Sequence, residues 1–305
     1  MNKTIAILIP CYNEEQTIAK VVEDFHKQLP QADIYVYDNN SSDGTDKVAR
    51  HSGAIVRYEE RQGKGNVIRR MLSDIEADCY ILVDGDDTYP AEYASIMSNN
   101  ILEDGYDMVI GDRLSATYFQ ENKRPFHDLG NRLVRYAINK IFHSDIKDIM
   151  TGYRAISKRM VRTTSLFSEG FEIETEMTIN ALDNQLKICQ IPVEYRNRPD
   201  GSISKLNTFS DGIRILLTIF KLFRDYKPLR FFSYISIVLV ILSILFLLPI
   251  FIDYFNSGLV PRFPTLIVCS FVILFAILLW LCGLILEVLL NRHRQIRFLI
   301  SNQIK

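Results

Sequence analysis

Residues 80–87 read YILVDGDD, an apolar run that ends directly in three carboxylates. The run Tyr80–Val83 is short and rich in β-branched and aromatic residues, which predicts a buried strand. Asp84 and Asp86 follow it, two residues apart. Two carboxylates this close repel each other unless a positive charge lies between them. The stretch therefore predicts a sheet with a charged site at its edge.

The residues around this stretch alternate between strand and helix patterns. Further strands are predicted at Ile5–Ile9, Ile34–Tyr37, Ile55–Tyr58 and Met108–Ile110. Helical patterns lie between them, at Glu14–Gln28, Asp43–His51 and Lys64–Glu76. Strands that alternate with helices form a parallel sheet covered on both faces, and ligands bind beyond the carboxyl ends of its strands. We therefore expect an α/β domain with its site in the loops after the strands.

Three more loops would meet the Asp84 loop at this edge: residues 10–15 (PCYNEE), 38–45 (DNNSSDGT) and 61–65 (RQGKG). Each has a simpler interpretation, since Ser42 or Asp43 could merely cap the next helix. The Gly-Lys-Gly segment has neither the Walker A nor the GxGxxG spacing. For Asp84 and Asp86, the alternative is a solvated turn. Their place after a buried strand favours Mg²⁺ or Mn²⁺ carrying a diphosphate, because these ions prefer oxygen ligands.

Two long apolar runs lie near the end of the sequence. The first, 231–252, contains no charged residue, and the second, 265–290, contains only Glu287. Each is long enough to cross a bilayer, whereas buried core helices, the alternative, usually show a polar face. We predict a transmembrane hairpin with both termini in the cytosol, because Lys and Arg flank the outer ends of the runs while the connecting loop holds only Arg262.

The rest of the sequence supports a cytosolic catalytic part. A net charge of −1 argues against a nucleic-acid partner, and no signal peptide opens the sequence. The five cysteines form no CxxC pair, which predicts reduced thiols and no thiolate metal site. Residues 209–226 have apolar positions at helical spacing and predict an amphipathic helix at the membrane interface. The alternative is an ordinary helix that covers the domain.

As a set, the four loops resemble the catalytic domain of glycosyltransferase family 2, which has the GT-A fold, a Rossmann-like and mostly parallel sheet. Three downstream segments extend the resemblance: 148–154 (DIMTGYR), 171–176 (FEIETE) and 198–205 (RPDGSISK). The set is most similar to the polyprenyl-phosphate branch, which includes dolichyl-phosphate mannose synthases and bacterial undecaprenyl-phosphate glucosyl- and N-acetylglucosaminyltransferases. One departure is that mannose synthases typically read DADxQHxP where residues 84–90 read DGDDTYP.

The resemblance implies roles for particular residues on the donor side. Those implied to hold the nucleoside are Pro10, Tyr12, Glu14 and Asp38, with Gly63 and Lys64 near the nucleotide. Asp84 and Asp86 would bind Mg²⁺ or Mn²⁺. Arg198 and Lys205 would close over the diphosphate. Glu172 and Glu174 could simply orient neighbouring groups by hydrogen bonds.

The resemblance also implies the acceptor. Arg113 and Arg132 would receive the phosphate of a polyprenyl lipid, although either could be a plain surface charge. The implied domains are a catalytic domain at 1–205, an interfacial helix at 206–230, the hairpin at 231–290 and a basic cytosolic tail at 291–305.

The implied activity is inverting transfer of glucose or N-acetylglucosamine from a UDP-sugar to undecaprenyl phosphate, for modification of cell-envelope glycans. A homotetramer in a bacterial inner membrane is expected. Three alternatives stay open: a mannose synthase that uses GDP-mannose, a processive polysaccharide synthase, and a non-catalytic membrane scaffold or sensor.

Overall fold

The computed structural model describes residues 3–115, 125–196, 220–221 and 223–303. The chain divides into two compact units, Met1–Ile215 and Leu216–Lys305. The predicted interfacial helix at 209–226 falls largely outside the described residues, as do Arg198 and Lys205.

The first unit contains one seven-stranded sheet. Its strands are β1 (Ile5–Cys11), β2 (Asp33–Asp38), β3 (Ile55–Tyr58), β4 (Cys79–Leu82), β5 (Met108–Asp112), β6 (Arg154–Ser157) and β7 (Ile188–Pro192). They lie in the order β3-β2-β1-β4-β6-β5-β7, and only β6 runs antiparallel to its neighbours. The predicted, mostly parallel sheet is therefore confirmed.

Helices connect these strands. They are α1 (Ile18–Gln28), α2 (Thr45–His51), α3 (Lys64–Asp74), a 3-10 turn (Ala91–Tyr93), α4 (Ala94–Leu102), α5 (Pro125–Phe142), α6 (Lys158–Thr163) and α7 (Ile173–Asp183). β1 lies near the middle of the sheet, and its residues Ile7, Leu8 and Ile9 are fully buried. Such continuous apolar runs are expected where helices cover both faces of a parallel sheet.

Helix α1 begins later than its apolar pattern predicts, at Ile18 rather than Glu14. Asn13, the residue before the predicted start, adopts a left-handed backbone with φ 53°, so no regular helix includes it. A turn follows, in which the N–H groups of Thr17 and Ile18 donate to the carbonyl of Glu14 at 3.1 and 3.0 Å. The residues before Ile18 thus shape the loop after β1.

The reversed direction of β6 has a consequence for the site. β6 pairs antiparallel with both β4 and β5, and Arg154 lies opposite Leu82 and Ile110. The residues just before β6 therefore arrive at the edge where β4 and β5 end. The DIMTGYR segment reaches the predicted ligand edge in this way, although no strand pattern was recognised there.

The second unit contains two long helices, α8 (Pro228–Ser257) and α9 (Phe263–Gln303). Pro228 stands in the first turn of α8, and Gly258 ends it with φ 68° in the left-handed region. Spans of mean hydropathy 3.2 and 2.8, at Pro228–Ser257 and Phe263–Ile296, are long and apolar enough to cross a membrane. Large apolar side chains such as Phe246 and Phe271 are exposed. Buried core helices would hide such side chains, so the transmembrane interpretation is favoured.

The single charge in the second apolar run has a partner in this unit. Oε2 of Glu287 accepts a hydrogen bond from the backbone N–H of Leu229, at 3.3 Å. The first N–H groups of a helix have no partner within the helix and favour a negative charge. Glu287 therefore accepts a hydrogen bond from an N–H group in the first turn of α8. This contact joins the start of α8 to the end of the second apolar run.

Helix α9 is longer than the predicted span. Its 41 residues give a length of roughly 60 Å, about twice the thickness of a bilayer core. The basic segment that follows residue 290 continues the helix to Gln303.

We expect Gly283→Leu to destabilise the helix pair, because a Cβ atom at Gly283 would lie 2.8 Å from Cβ of Phe232. Overpacking of this kind costs about 1–3 kcal/mol. The midpoint of thermal unfolding in detergent measures the effect. Cys282→Leu is the matched control, since Cys282 is the exposed neighbour on the same helix. Equal midpoints for the two variants would contradict the close approach at Gly283.

Candidate active site

The loops after β1 and β2 are joined by hydrogen bonds at the carboxyl edge of the sheet. The backbone N–H of Asn13 donates to Oγ of Ser41 at 2.9 Å, and the N–H of Ser42 donates to Oδ1 of Asn13 at 2.8 Å. The N–H of Glu14 donates to Oγ1 of Thr45 at 2.9 Å. These contacts bring together the loops that carry the predicted nucleoside-binding residues, Pro10, Tyr12, Glu14 and Asp38.

Asp38 ends β2 and is 5% exposed. Its Oδ2 atom accepts a hydrogen bond from the backbone N–H of Ser41 at 3.1 Å. Its Oδ1 atom is buried and has no hydrogen-bond partner among the described residues. Buried polar atoms are nearly always paired, so an unpaired acceptor at a ligand-binding edge calls for a donor from a ligand or from water.

Asp84 and Asp86 follow β4 at the same edge. Asp86 is buried, and its Oδ1 atom accepts a hydrogen bond from Oγ1 of Thr88 at 2.6 Å. The side chain of Asp84 is 26% exposed. Within the described part of the chain, no cluster of three or more His, Cys, Asp or Glu residues could hold a metal ion. A cation bound by these two carboxylates would therefore take its other ligands from groups other than the described His, Cys, Asp and Glu side chains.

Lys64 holds Asp84 in place. Its Nζ atom lies 2.5 Å from Oδ1 of Asp84 and 2.6 Å from Oε1 of Glu174 on α7. Burial would lower the pKa of Lys64, but the two carboxylates raise it above the ordinary value for lysine. Burial raises the pKa of Glu174, against the opposing effect of Lys64. The three side chains form a charged cluster that we call the Lys64 triad, beside a cavity of about 10 Å³.

The glycines on either side of Lys64 allow a close approach of the backbone. Gly63 has φ 134°, and a Cβ atom there would lie within 2.3 Å of the carbonyl oxygen of Glu169. The N–H of Gly65 donates to the same oxygen at 2.9 Å. The Gly-Lys-Gly sequence thus packs α3 against the segment before α7. This packing delivers Lys64 to Asp84 and Glu174.

The segment before β6 approaches Asp84 from the other side. A Cβ atom at Gly152 would lie 2.5 Å from Oδ2 of Asp84, so only glycine fits there without a shift of the carboxylate. Arg154 is 1% exposed, and its guanidinium donates to the carbonyls of Thr151 at 3.0 Å and Ile149 at 2.5 Å. Arg154 therefore shapes the turn that places Gly152 against Asp84.

Arg113 follows β5 and is anchored within the protein. Its Nε atom donates to Oδ2 of Asp148 at 2.7 Å, and its Nη2 atom donates to Oδ1 of Asp148 at 3.2 Å. Nη2 also donates to the carbonyl of Met150 at 3.1 Å. The two-point pairing orients the guanidinium and offsets part of its charge. Arg113 is thus a preorganised cation near the carboxyl edge.

Sequence reasoning missed the contacts of two residues in the Asp84 loop. Thr88 and Tyr89 were noted only for differing from the mannose-synthase pattern, yet both are buried. Thr88 holds Asp86, and the Tyr89 hydroxyl accepts hydrogen bonds from Gly152 and Arg113 at 3.2 and 3.3 Å. Burial raises the pKa of Tyr89, so its phenol stays protonated at neutral pH. The one available signal was their position beside Asp86.

The remaining predicted site residues lie in different parts of the chain. Arg132 lies on α5 with its side chain exposed. Arg198 and Lys205 lie outside the described residues, so their place beside a diphosphate stays a prediction. The described donor-side residues converge on one sheet edge.

We expect Lys64→Met to lower stability by about 3 kcal/mol, because it leaves the buried Glu174 carboxylate and the partly buried Asp84 carboxylate facing each other without Lys64. Adding Glu174→Gln to that variant should restore more than half of the loss. The free energy of unfolding of the first unit, Met1–Ile215, measured in urea within the full-length protein, tests both statements. Lys27→Met removes an exposed ion pair and serves as the control. A Lys64→Met protein as stable as wild type would contradict the importance of the triad.

Comparisons with known proteins place this geometry in a family. Residues 6–164 match the model described as Glycosyl transferase family 2. The chain is 32% identical over 292 residues to the protein named Glycosyltransferase AglJ of Haloferax volcanii, covering 95% of both chains. It is 29% identical over 217 residues to a protein of the same organism named Dolichyl-phosphate hexose transferase, covering 71% of this chain and 92% of that one.

A solved structure confirms the fold. The crystal structure of M. tuberculosis glucosyl-3-phosphoglycerate synthase superposes with a TM-score of 0.58 at 22% identity, covering 72% of this chain and 81% of that one. The predicted GT-A architecture is therefore correct. The chain belongs to glycosyltransferase family 2.

Proposed function

We propose that the protein is a membrane-bound inverting glycosyltransferase that moves a sugar from a nucleotide-sugar to polyprenyl phosphate. The main support for this proposal is the combination of two features in one chain. A family 2 fold presents Asp84 and Asp86 at its ligand edge, and two helices are long and apolar enough to span a membrane. The relative named Dolichyl-phosphate hexose transferase supports a lipid phosphate as acceptor.

The charges near Asp84 also favour a phosphate acceptor. A sugar hydroxyl needs a general base, whereas a phosphate monoester, with its second pKa near about 6, is already mostly a dianion at neutral pH. The nearby buried carboxylates, Glu174 and Asp148, are each paired with a cation at 2.6 and 2.7 Å. Each carboxylate therefore orients a cation, which suits an acceptor that arrives already ionised.

Asp84 and Asp86 fit a divalent cation, Mg²⁺ or Mn²⁺. Their oxygens are the donors that these ions prefer, and both follow β4 at the carboxyl edge of the sheet. A bound cation would supply positive charge to the leaving nucleoside diphosphate. Thr88 and Lys64 would hold the two carboxylates in position for it.

The donor that we favour is UDP-glucose or UDP-N-acetylglucosamine. The Gln and His of the mannose-synthase pattern are replaced by Thr88 and Tyr89, whose side chains make hydrogen bonds inside the protein. Thr88 and Tyr89 are therefore not available to bind the sugar in the way that the Gln and His of the mannose-synthase pattern would. GDP-mannose is the alternative donor.

The proposed reaction is a direct displacement. Asp38, Tyr12, Glu14 and Pro10 would hold the nucleoside, with Gly63 and Lys64 nearby. Arg198 and Lys205 would stabilise the diphosphate, while Arg113 and Arg132 would align the acceptor phosphate. Attack by the phosphate oxygen from the opposite side inverts the anomeric carbon, so an α-linked donor gives a β-linked lipid product.

The proposed setting is the cytosolic face of a bacterial inner membrane, with both termini in the cytosol. Basic residues at the outer ends of the apolar runs support this orientation. The product would serve modification of cell-envelope glycans. We also propose a homotetramer that packs through the hairpins.

Incubation of the purified protein with undecaprenyl phosphate, Mn²⁺ and a panel of UDP- and GDP-sugars tests the function. We expect a single hexose or N-acetylhexosamine on the lipid, identified by mass, with a β-linkage by NMR. A polysaccharide product would favour a processive synthase. The absence of any lipid product with every donor would favour a scaffold or sensor and overturn the proposal.

Asp86→Asn should lower transfer by about 100-fold or more, because the leaving diphosphate would lose charge stabilisation. The same variant should bind Mn²⁺ more weakly in the presence of UDP, as measured by electron paramagnetic resonance, while membrane insertion is unchanged. Asp24→Asn, which alters an exposed ion pair on α1, is the control and should match wild type. Wild-type turnover by Asp86→Asn at saturating metal would remove the metal site from the proposal.

A further inference from the structure

The hydroxyl of Tyr89 lies between the two halves of the site. It accepts a hydrogen bond from the backbone N–H of Gly152 at 3.2 Å and one from Nη1 of Arg113 at 3.3 Å. The hydroxyl of Thr151 lies 3.3 Å away. Gly152 packs directly against the carboxylate of Asp84. One buried oxygen atom therefore connects Asp84, through Gly152, with Arg113.

Tyr89 adds a restraint on Arg113 that the pairing with Asp148 does not supply. Asp148 binds the edge of the guanidinium formed by Nε and Nη2, and Met150 binds Nη2 as well. Two parallel bonds along one edge fix the distance between the guanidinium and Asp148, but the guanidinium plane can still tilt about that edge. Nη1 lies away from the edge, so its hydrogen bond to Tyr89 restrains the tilt of the guanidinium plane.

Tyr89 itself is held rigidly. Its ring packs against the rings of Tyr153 and Tyr195, with centroids 5.4 and 5.5 Å apart. The Tyr195 ring also lies 5.6 Å from the guanidinium carbon of Arg113. A buried ring between two aromatic neighbours moves little, so its hydroxyl is a fixed reference point for Arg113.

We propose that Tyr89 is a positioning residue. It orients the guanidinium of Arg113, and through it the acceptor phosphate, relative to Asp84. The inference rests on the proposed function, in which Arg113 receives that phosphate. Asp84 is held independently by Lys64. Loss of the Tyr89 hydroxyl therefore acts on the acceptor and leaves the nucleotide in place.

The chain offers a matched control for this hydroxyl. Tyr153 lies in the same aromatic cluster, is also fully buried, and its hydroxyl has no hydrogen-bond partner among the described residues. Tyr89→Phe and Tyr153→Phe thus remove the same atom from neighbouring buried rings. Only the first removes hydrogen bonds.

The experiment uses the full-length protein in detergent and measures the binding of two ligands. Undecaprenyl phosphate binding is followed by thermophoresis, and UDP binding in the presence of Mn²⁺ by calorimetry. We expect Tyr89→Phe to weaken undecaprenyl phosphate binding about tenfold, the range for a hydrogen bond to a charged group, with UDP binding unchanged. In transfer assays, KM for the lipid should rise more than kcat falls. Tyr153→Phe should match wild type in every measurement.

Arg113→Lys tests the acceptor role of Arg113 separately from the positioning role of Tyr89. If it weakens undecaprenyl phosphate binding, and Tyr89→Phe adds nothing in that background, the two residues act as one unit. If Arg113→Lys leaves lipid binding unchanged, the acceptor site assigned in the proposed function is wrong. If Arg113→Lys weakens lipid binding but Tyr89→Phe does not, or weakens UDP binding equally, the positioning role of Tyr89 is overturned and the proposed function stands.

Discussion

The burial of the Lys64 ammonium between Asp84 and Glu174 is the interaction on which the site depends. Each of these charges would be costly to bury alone, so each requires the other two to be in place. They come from three distant parts of the chain: the start of α3, the loop after β4, and α7. The glycines beside Lys64 bring α3 close enough to the segment before α7 for the pairing to form. Charge compensation thus fixes the position of Asp84 before any ligand binds.

The reversed strand β6 connects this charged cluster with Arg113. Because β6 runs against β4 and β5, the turn before it reaches the ligand edge and carries both Asp148 and Gly152. Asp148 orients Arg113, and Gly152 packs on Asp84. A parallel strand in this position would direct the same residues to the opposite edge. The antiparallel exception in the sheet is therefore what brings the guanidinium of Arg113 and the carboxylate of Asp84 towards the same edge.

Local patterns were enough to predict much of this fold. Five strands and three helices follow from runs of apolar residues, and the Asp84 loop is recognisable because charge follows directly on a buried strand. The late start of α1 follows a hydrogen-bonded turn at Glu14, and β6 and β7 have little periodic signal. The pairings of Lys64 with Glu174 and of Arg113 with Asp148 join residues 110 and 35 positions apart. Contacts at such separations are decided by tertiary packing, which residue spacing does not encode.

The distribution of charge distinguishes between classes of acceptor. A hydroxyl acceptor must lose a proton, and the buried carboxylates on this side of the described structure include Glu174 and Asp148. Both are buried and paired with cations, and the raised pKa of Lys64 means that its ammonium remains a charged partner at neutral pH. A phosphate acceptor brings its negative charge with it and needs only oriented cations. The ion pairs of Glu174 and Asp148 hold Lys64 and Arg113 in fixed positions, so this arrangement favours an acceptor that is already ionised.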